Sequence, residues 1–192
     1  MQSTHLTYKD IMLEALDVPP AHIQHQSGGQ FSSTLINYMK QVENGVKSGY
    51  KHGKWYPYSS YEGGNDTIGF GHKLTKQDGN SFNNGISDKD AEKLLINDLE
   101  IAKGKVYSDI KHMFKVQIPQ LEKDKEEMLI DFAFNLKGGL RTFPHFVRAV
   151  LTNDWKTAAK EYKRTATSKD GHKTELGRNK VFFQTFIQPH IK

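Results

Sequence analysis

A glutamate at the end of a predicted helix is the first residue placed to do chemistry. Leu35, Met39 and Val42 recur at helical spacing, and Asn44-Gly45 stops the helix directly after Glu43. A carboxyl group in the last turn of a packed helix is partly buried, which raises its pKa and suits it to act as a general acid near neutral pH. From position alone, a solvated glutamate at a frayed helix end is the more common arrangement.

A strand-like run downstream holds two further candidates. The residues Thr67-Ile68-Gly69-Phe70-Gly71-His72 alternate as a strand does, with glycine where backbones pass closely, and predict part of a small antiparallel sheet. Thr67 opens the run, where a threonine is most often only a strand former. His72 ends it, and no second ligand lies at metal spacing, so we expect no metal site.

Asp98 requires a cationic partner. Its predicted helix, Asp88–Gly104, has one apolar stripe, and Asp98 falls near the middle of it; the stripe comprises Ala91, Leu94, Leu95, Leu99 and Ala102. An uncompensated buried carboxylate costs about 3–5 kcal/mol. The residues three and four positions away are apolar or small, so the partner comes from elsewhere in the chain, and His72 is the candidate.

Two polar residues interrupt an otherwise apolar helix predicted over Lys123–Leu136. Asp131 and Asn135 lie four positions apart and form its one polar stripe. Such a stripe either satisfies polar groups in the core or lines a cleft. The sequence leaves both possibilities open.

The order of predicted elements is a helix, a small sheet and then a run of helices. Residues 1–32 differ in texture and are predicted to be an N-terminal extension with a short helix and a linker, and residues 33–192 form the main domain. Further helices are expected at Pro144–Leu151, Trp155–Arg164 and Glu175–Ile187, with a polar loop at Thr167–Lys173. This order predicts the α+β class, with a small antiparallel sheet lobe, a mainly helical C-terminal lobe and a cleft between them.

Composition excludes several classes of protein. The 192 residues include no cysteine, so disulfides and thiolate metal sites are absent. The mean hydropathy is −0.69, and no run approaches the roughly 18–20 apolar residues that cross a bilayer, so we expect a soluble protein. The N-terminus lacks a signal-peptide pattern, so we expect no export signal of its own. A net charge of +5 suits a polyanionic partner, but Lys and Arg are dispersed, which argues against a nucleic-acid binder.

Several segments together resemble the phage-type (T-even-like) lysozymes, glycoside hydrolase family 24. The most specific are Glu43-Asn44-Gly45, the run Asp66–Thr75 and the helix start Ser87–Leu94. Weaker pieces follow in the family's order: Phe132–Gly138 with Phe143 beyond it, Trp155 with Ala158-Ala159, and Gly177–Lys180 with Phe186 beyond it. The resemblance covers roughly residues 33–190 and implies a two-lobed lysozyme-like fold.

The resemblance also implies roles for matched residues. Glu43 would protonate the glycosidic oxygen, and Thr67 would help to hold the attacking water. Arg178 would stand near Glu43 as its charge partner, and Asn135 would line the cleft. The family pairs the strand-end histidine with an aspartate of the next helix, which is the pair inferred above from the apolar stripe.

One departure from the family concerns the catalytic base. The family usually has an aspartate six residues before the threonine, where this chain has Tyr61. Glu62, one place along, could serve if the hairpin is one residue shorter, and the alternative is a solvent-facing turn residue. The weaker substitutes are Ser59, Ser60 and Asp66.

The segment between Glu43 and Thr67 is longer than in compact family members. It carries the insertion Lys51–Tyr58, whose aromatic side chains are predicted to stack on sugar rings; they are Trp55, Tyr56 and Tyr58.

The expected activity is that of a muramidase, which cleaves the β-1,4 bond between N-acetylmuramic acid and N-acetylglucosamine. Glu43 supplies the acid, and Glu62 and Thr67 share the task of holding water. In inverting enzymes this water lies between the two carboxyl groups, which are roughly 6.5–9.5 Å apart. A lytic transglycosylase is the close alternative, since it needs no water-holding aspartate. A wall-binding or virion structural module is the non-enzymatic alternative.

The expected partner is bacterial peptidoglycan, with no cofactor, no metal and no nucleic acid. A monomer is expected. The resemblance implies an endolysin made in the cytoplasm of an infected bacterium and acting on the periplasmic wall after release, or a lysozyme carried in the virion.

Overall fold

The computed structural model describes residues 31–59, 66–78, 80–134, 136, 138–167, 173–175 and 177–191. The predicted extension at residues 1–32 lies almost wholly outside the described residues, as do Glu62 and Asn135. The described chain forms two compact units, the first ending at Gly104 and the second beginning at Lys105.

The first unit opens with helix α1, Ser33–Asn44. The Ser32 hydroxyl caps it by accepting a hydrogen bond from the Leu35 backbone N–H at 3.1 Å. Leu35 and Met39 are fully buried, as their four-residue spacing predicts. The helix therefore ends within one residue of the sequence prediction.

Five short strands follow in two antiparallel sheets. Strands β1 (Tyr50–Lys51) and β2 (Lys54–Trp55) form a hairpin. Strands β3 (Tyr58–Ser59), β4 (Asp66–Ile68) and β5 (His72–Lys73) form a three-stranded sheet in that order. The small antiparallel sheet predicted from the sequence is thus present.

The prediction of one continuous strand over Thr67–His72 is wrong. Gly69 and Gly71 have φ values of +62° and +87°, and the chain turns there so that Ile68 pairs with His72. Gly69 also passes close to the next helix, since a Cβ atom at this position would lie 3.0 Å from the Ala91 Cβ. The glycines therefore form a turn, because only residues without a side chain accept this conformation readily.

The core of the first unit lies between its sheets and the start of helix α2, Asp88–Phe114. Trp55, Ile68 and Ala91 form its centre. Partly buried apolar side chains complete it; they are Tyr50, Phe70, Leu74, Phe82, Ile86 and Leu94.

Helix α2 extends ten residues beyond the predicted end at Gly104. Val106, Ile110 and Phe114 continue the buried stripe at four-residue spacing. Gly104 is exposed, and one exposed glycine lowers helix stability by only about 1 kcal/mol. The apolar stripe therefore overrides the glycine that suggested a stop.

The second unit is mainly helical. Helix α3, Lys123–Phe134, is buried without interruption from Lys125 to Ala133. Its Phe132 packs on three other aromatic rings with centroid distances between 4.3 and 5.4 Å; they belong to Phe143, Phe146 and Phe182. The helix predicted to be apolar nearly all round is therefore the core of this unit, and it also buries four ionisable residues, Lys125, Glu126, Glu127 and Asp131.

The later elements differ from the sequence prediction at three places, the first of which is the helix predicted over Trp155–Arg164, which ends at Glu161. Helices α4 (Pro144–Leu151) and α5 (Trp155–Glu161) are followed by a hairpin of β6 (Thr165–Thr167) and β7 (Lys173–Glu175). The first and last residues of the predicted polar loop, Thr167 and Lys173, belong to these two strands. The threonines of both strands are β-branched and favour extended backbone. The helix predicted from Glu175 begins only at α6, Arg178–Phe182, and continues as a π-helix, Phe183–Ile187.

Together these elements confirm the α+β class, with small antiparallel sheets and mainly helical structure towards the C-terminus. No helix among the described residues has the length and apolar character that a membrane crossing requires.

Candidate active site

Glu43 lies half-buried at the end of α1. It faces the turn between β4 and β5: a Cβ atom at residue 71 would lie 3.7 Å from the Glu43 Oε2 atom and 3.8 Å from its Cβ. The absence of a side chain at Gly71 leaves the carboxyl group room beside this turn. The predicted acid therefore lies against the sheet that carries Thr67.

Asn44 fixes the backbone at this point, a role that the sequence analysis missed. Its side-chain N–H groups donate to the carbonyl oxygens of Gly69 at 2.7 Å and Ser48 at 3.0 Å. Its Oδ1 accepts from the Ser48 backbone N–H at 2.8 Å. An asparagine before glycine is a common helix-ending pair, so the sequence indicated a stop and not a buried side chain that ties the helix end to the sheet.

Thr67 is buried, with 4% of its surface exposed. Its hydroxyl donates to the Tyr58 carbonyl oxygen at 3.3 Å, and the two residues face each other across β3 and β4. A hydroxyl that donates in this way retains acceptor capacity for a water hydrogen. The water-holding role of Thr67 stays a prediction.

Tyr58 lies beside the turn between β4 and β5. Its hydroxyl donates to the Gly69 carbonyl oxygen at 3.5 Å, and its ring takes the space that a side chain on Gly49 would fill. The ring is half-buried. Its stacking on a sugar ring stays a prediction.

The prediction that Trp55 stacks on a sugar ring is wrong. Only 1% of its surface is exposed, and its Nε1–H donates to Asp88 Oδ1 at 2.7 Å. Its ring packs against Tyr50 and Phe70 with centroid distances of 4.8 and 4.9 Å. Trp55 thus anchors the β1–β2 hairpin to the core, and its large apolar surface explains why the fold buries it.

The structure brings His72 and Asp98 together. The His72 Nδ1 lies 2.9 Å from Asp98 Oδ2 and 3.1 Å from Oδ1, and about a fifth of each side chain is exposed. The hydrogen bond to Asp98 raises the pKa of His72; burial opposes this rise, and the charges of Asp98 and Asp78 add to it. The pair therefore joins the start of β5 to helix α2.

Asp131 is a polar group of the core in the second unit. It is fully buried and accepts hydrogen bonds from Arg178 Nη2 and, at 3.1 Å, from Arg164 Nη1. The Arg164 guanidinium lies 4.6 and 4.7 Å from the ring centroids of Phe132 and Phe182. Of the two possibilities for Asp131, the satisfied core group is the one present. The pairing of Arg178 with Glu43 stays a prediction.

The remaining predicted site residues are Glu62 and Asn135, and both lie outside the described residues, as do Ser60 and Tyr61. Of the weaker substitutes for the base, Ser59 donates its hydroxyl to Asp66 Oδ1 at 3.1 Å, and both residues are exposed. Within the described ranges, no group of three or more His, Asp or Glu side chains is placed to hold a metal ion.

Comparisons with known proteins identify the family. The family model for phage lysozyme matches residues 51–178, a span that includes Thr67, His72, Asp98 and Arg178 and begins after Glu43. The solved endolysin from Escherichia coli O157:H7 phage FAHEc1 has a similar fold, with a TM-score of 0.56 and 17% identity over 87% of this chain and 96% of that one. No curated protein matches the sequence. Because the family model matches more than half of the chain, the protein belongs to the phage lysozyme family and is a lysozyme-type peptidoglycan hydrolase.

Proposed function

We propose that the protein is a muramidase that hydrolyses the β-1,4 bond between N-acetylmuramic acid and N-acetylglucosamine, with Glu43 as its general acid. The observation that carries this proposal is the position of the Glu43 carboxyl group, half-buried beside the turn of the sheet that holds Thr67. Asn44 holds the helix end and this turn together through its hydrogen bond to Gly69. A positioned acid is what protonation of a glycosidic oxygen requires.

In the proposed mechanism, Glu43 gives its proton to the leaving oxygen while a water attacks the sugar from the opposite face. Thr67 and Glu62 hold that water, and the Glu62 carboxylate accepts the proton that the water loses as it attacks. Arg178 balances the charge that Glu43 acquires. Asn135 and Tyr58 contact the glycan strand. Membership of the phage lysozyme family supports the reaction class, and the resemblance supports these roles.

The substitution Glu43→Gln tests the acid directly. Because the amide cannot supply a proton, we expect lysis of chloroform-treated Gram-negative cells to fall by about 10²- to 10⁴-fold. Glu92→Gln is the matched control, since Glu92 is a partly exposed glutamate that pairs with Lys40. Both variants are first compared with the parent by thermal unfolding. Lysis by a folded Glu43→Gln protein at a rate close to that of the parent would show that the assignment is wrong.

A lytic transglycosylase is the second candidate. The observation in its favour is Tyr61, which stands where the family usually has its water-holding aspartate. In that reaction the hydroxyl of the muramic acid attacks in place of water, and the product carries an anhydro end lighter by one water. The mass of the product therefore separates the two activities.

We also propose that the protein acts as a monomer on the periplasmic cell wall, as a phage endolysin released from the infected cell or as a lysozyme carried in the particle. Residues 33–192 would form the catalytic domain and residues 1–32 an extension.

A further inference from the structure

The loop and hairpin after α1 carry positive charge without acidic residues. Between Glu43 and Glu62 the sequence contains Lys47, Lys51 and Lys54, together with one histidine, and no aspartate or glutamate. All three lysines are exposed. Within the part of the chain that the structure describes, no carboxylate lies within ion-pair distance of any of them. These three lysines, together with strands β1 and β2, form what is called here the cationic hairpin.

The geometry of the turn places two of these charges face to face. Lys51 pairs directly with Lys54 across a two-residue turn in which His52 has a φ of 50° and Gly53 a φ of 74°. Positive φ at both central residues is the signature of a tight hairpin turn, which glycine favours. Like charges directly opposite each other on paired strands destabilise a sheet. The arrangement works against hairpin stability, so a role outside the fold accounts for it better.

Aromatic rings hold two of the ammonium groups in place. Lys47 Nζ lies 5.1 Å from the centroid of the Tyr50 ring, and Lys51 Nζ lies 4.7 Å from that of the Tyr56 ring. The face of an aromatic ring attracts a cation without neutralising its charge. The lysines are thus partly ordered and remain available to an anion.

The base of the cationic hairpin is fixed to the core of its unit. Trp55 exchanges backbone hydrogen bonds of 2.9 and 2.8 Å with Ile86, and its buried ring donates to Asp88. A binding surface that is already ordered loses less conformational entropy when a ligand binds. The fixed base therefore favours recognition of a specific ligand over loose attraction.

The cationic hairpin is also tied to the helix end that carries Glu43. Asn44 hydrogen-bonds to both the N–H and the carbonyl oxygen of Ser48, and the Tyr56 N–H donates to the Gly49 carbonyl oxygen at 2.9 Å. An anion bound by these lysines is consequently held in a defined position relative to the proposed acid. This coupling favours an anion attached to the glycan itself over an independent surface such as a lipid membrane.

We infer that Lys47, Lys51 and Lys54 bind carboxylates of the stem peptides that project from the glycan strand cleaved at Glu43. The inference deepens the proposed function and rests on it. Stem peptides present several carboxylates close to the muramic acid, and three exposed ammonium groups complement them in charge. The cationic hairpin would then make peptide-bearing peptidoglycan a better substrate than bare glycan.

The test compares the parent with the triple variant Lys47→Gln, Lys51→Gln, Lys54→Gln on two substrates. One is intact peptidoglycan, and the other is glycan strands from which an amidase has removed the peptides. We expect the parent to have the lower KM on intact peptidoglycan and the variant to lose this preference, with an increase in KM of about tenfold, as expected for three exposed ion pairs. The matched control changes three exposed lysines of the second unit, Lys105→Gln, Lys111→Gln and Lys123→Gln, and should keep the preference.

Three further measurements make the outcome decisive. Thermal unfolding checks that the triple variant folds. The midpoint temperature of the variant should equal or exceed that of the parent, because the substitutions remove the repulsion between Lys51 and Lys54. Equal increases in KM on both substrates, or no increase on either, would overturn the inference. So would lysine-dependent binding to phosphatidylglycerol vesicles without a change in substrate preference. A parent that cleaves no glycosidic bond in either substrate would instead contradict the proposed function, and sedimentation with intact peptidoglycan would still report the contribution of the lysines to binding.

Discussion

At the scale of single residues, the position of Asp98 in its helix predicted an ion pair with a residue far away in the sequence. Asp98 lies in an apolar stripe of α2, and this position alone requires a cationic partner from elsewhere in the chain. The partner is His72, twenty-six residues earlier. A charge in an apolar stripe is informative because burying it unpaired is so unfavourable.

The stability of this pair should depend on pH. The pKa of His72 is raised in the folded state, so protonation of His72 stabilises the fold below the ordinary histidine pKa of about 6.5. That stabilisation is lost as the pH rises through the folded value. We expect the free energy of unfolding of the parent, relative to that of the Asp98→Asn variant, to fall as the pH rises from about 6.5 through the raised folded pKa of His72.

Urea unfolding of both proteins across this range measures the effect. At the lower pH, Asp98→Asn should reduce the free energy of unfolding by about 1–3 kcal/mol, as expected for a hydrogen bond to a charged group. The carboxylates that act on His72 are Asp98 and Asp78, so Asp78→Asn serves as a second variant with a smaller expected effect. A parent and an Asp98→Asn protein with parallel pH profiles would contradict the pair's role.

Other residues could not be assigned correctly from sequence. A tryptophan in an inserted, tyrosine-rich segment suggests sugar stacking, but its burial depends on Ile86 and Asp88, which lie some thirty residues away. Asn44 has the same difficulty, since its partner Gly69 is twenty-five residues distant. Local sequence pattern carries no information on contacts of this kind.

At the scale of elements, long apolar stripes predicted the helices well, but glycines led to two wrong predictions. One was a helix end that is absent, and the other was a continuous strand where the chain turns. Gly104 suggested the end of a helix that continues to Phe114. The alternation around Gly69 and Gly71 predicts a strand, but both glycines lie in the turn between β4 and β5. The conformation of a glycine depends on what its neighbours pack against, so its effect on an element is not fixed by local sequence.

A pair of glycine substitutions tests this contrast. Gly69→Ala should lower the free energy of unfolding by about 1–2 kcal/mol or more, because φ is positive there and the new Cβ would meet Ala91 at 3.0 Å. Gly104→Ala should raise it by about 0.5–1 kcal/mol, since a built Cβ meets nothing within 4 Å and alanine favours the helix. Urea unfolding measures both, and changes of the same sign would show that one of the two backbone descriptions is wrong.

At the scale of the whole molecule, the class and family followed from the order of elements and from one specific run of residues. The run Asp66–Thr75 and the helix that follows it fall inside the family match. The likeness to the solved endolysin extends over 87% of the chain at 17% identity. A fold persists at such low identity because burial pattern and turn positions, more than residue identity, determine it.

The proposed division into an extension and a catalytic domain can be tested by truncation. Phe31 is buried and Ser32 caps α1, so a protein beginning at Phe31 retains both. We expect it to fold and to keep most of its lytic activity on chloroform-treated cells. A folded but inactive truncated protein would place residues 1–30 in the catalytic function and contradict the proposed division.

The most direct test of the central claim is digestion of purified peptidoglycan in ¹⁸O-labelled water, followed by mass spectrometry of the fragments. A muramidase that uses Glu43 as its acid should produce new reducing ends of N-acetylmuramic acid that each carry one heavy oxygen, and Glu43→Gln should abolish them while Glu92→Gln does not. Unlabelled anhydro ends would identify a transglycosylase. Label confined to N-acetylglucosamine ends or to peptide carboxyl groups would contradict the proposed bond altogether.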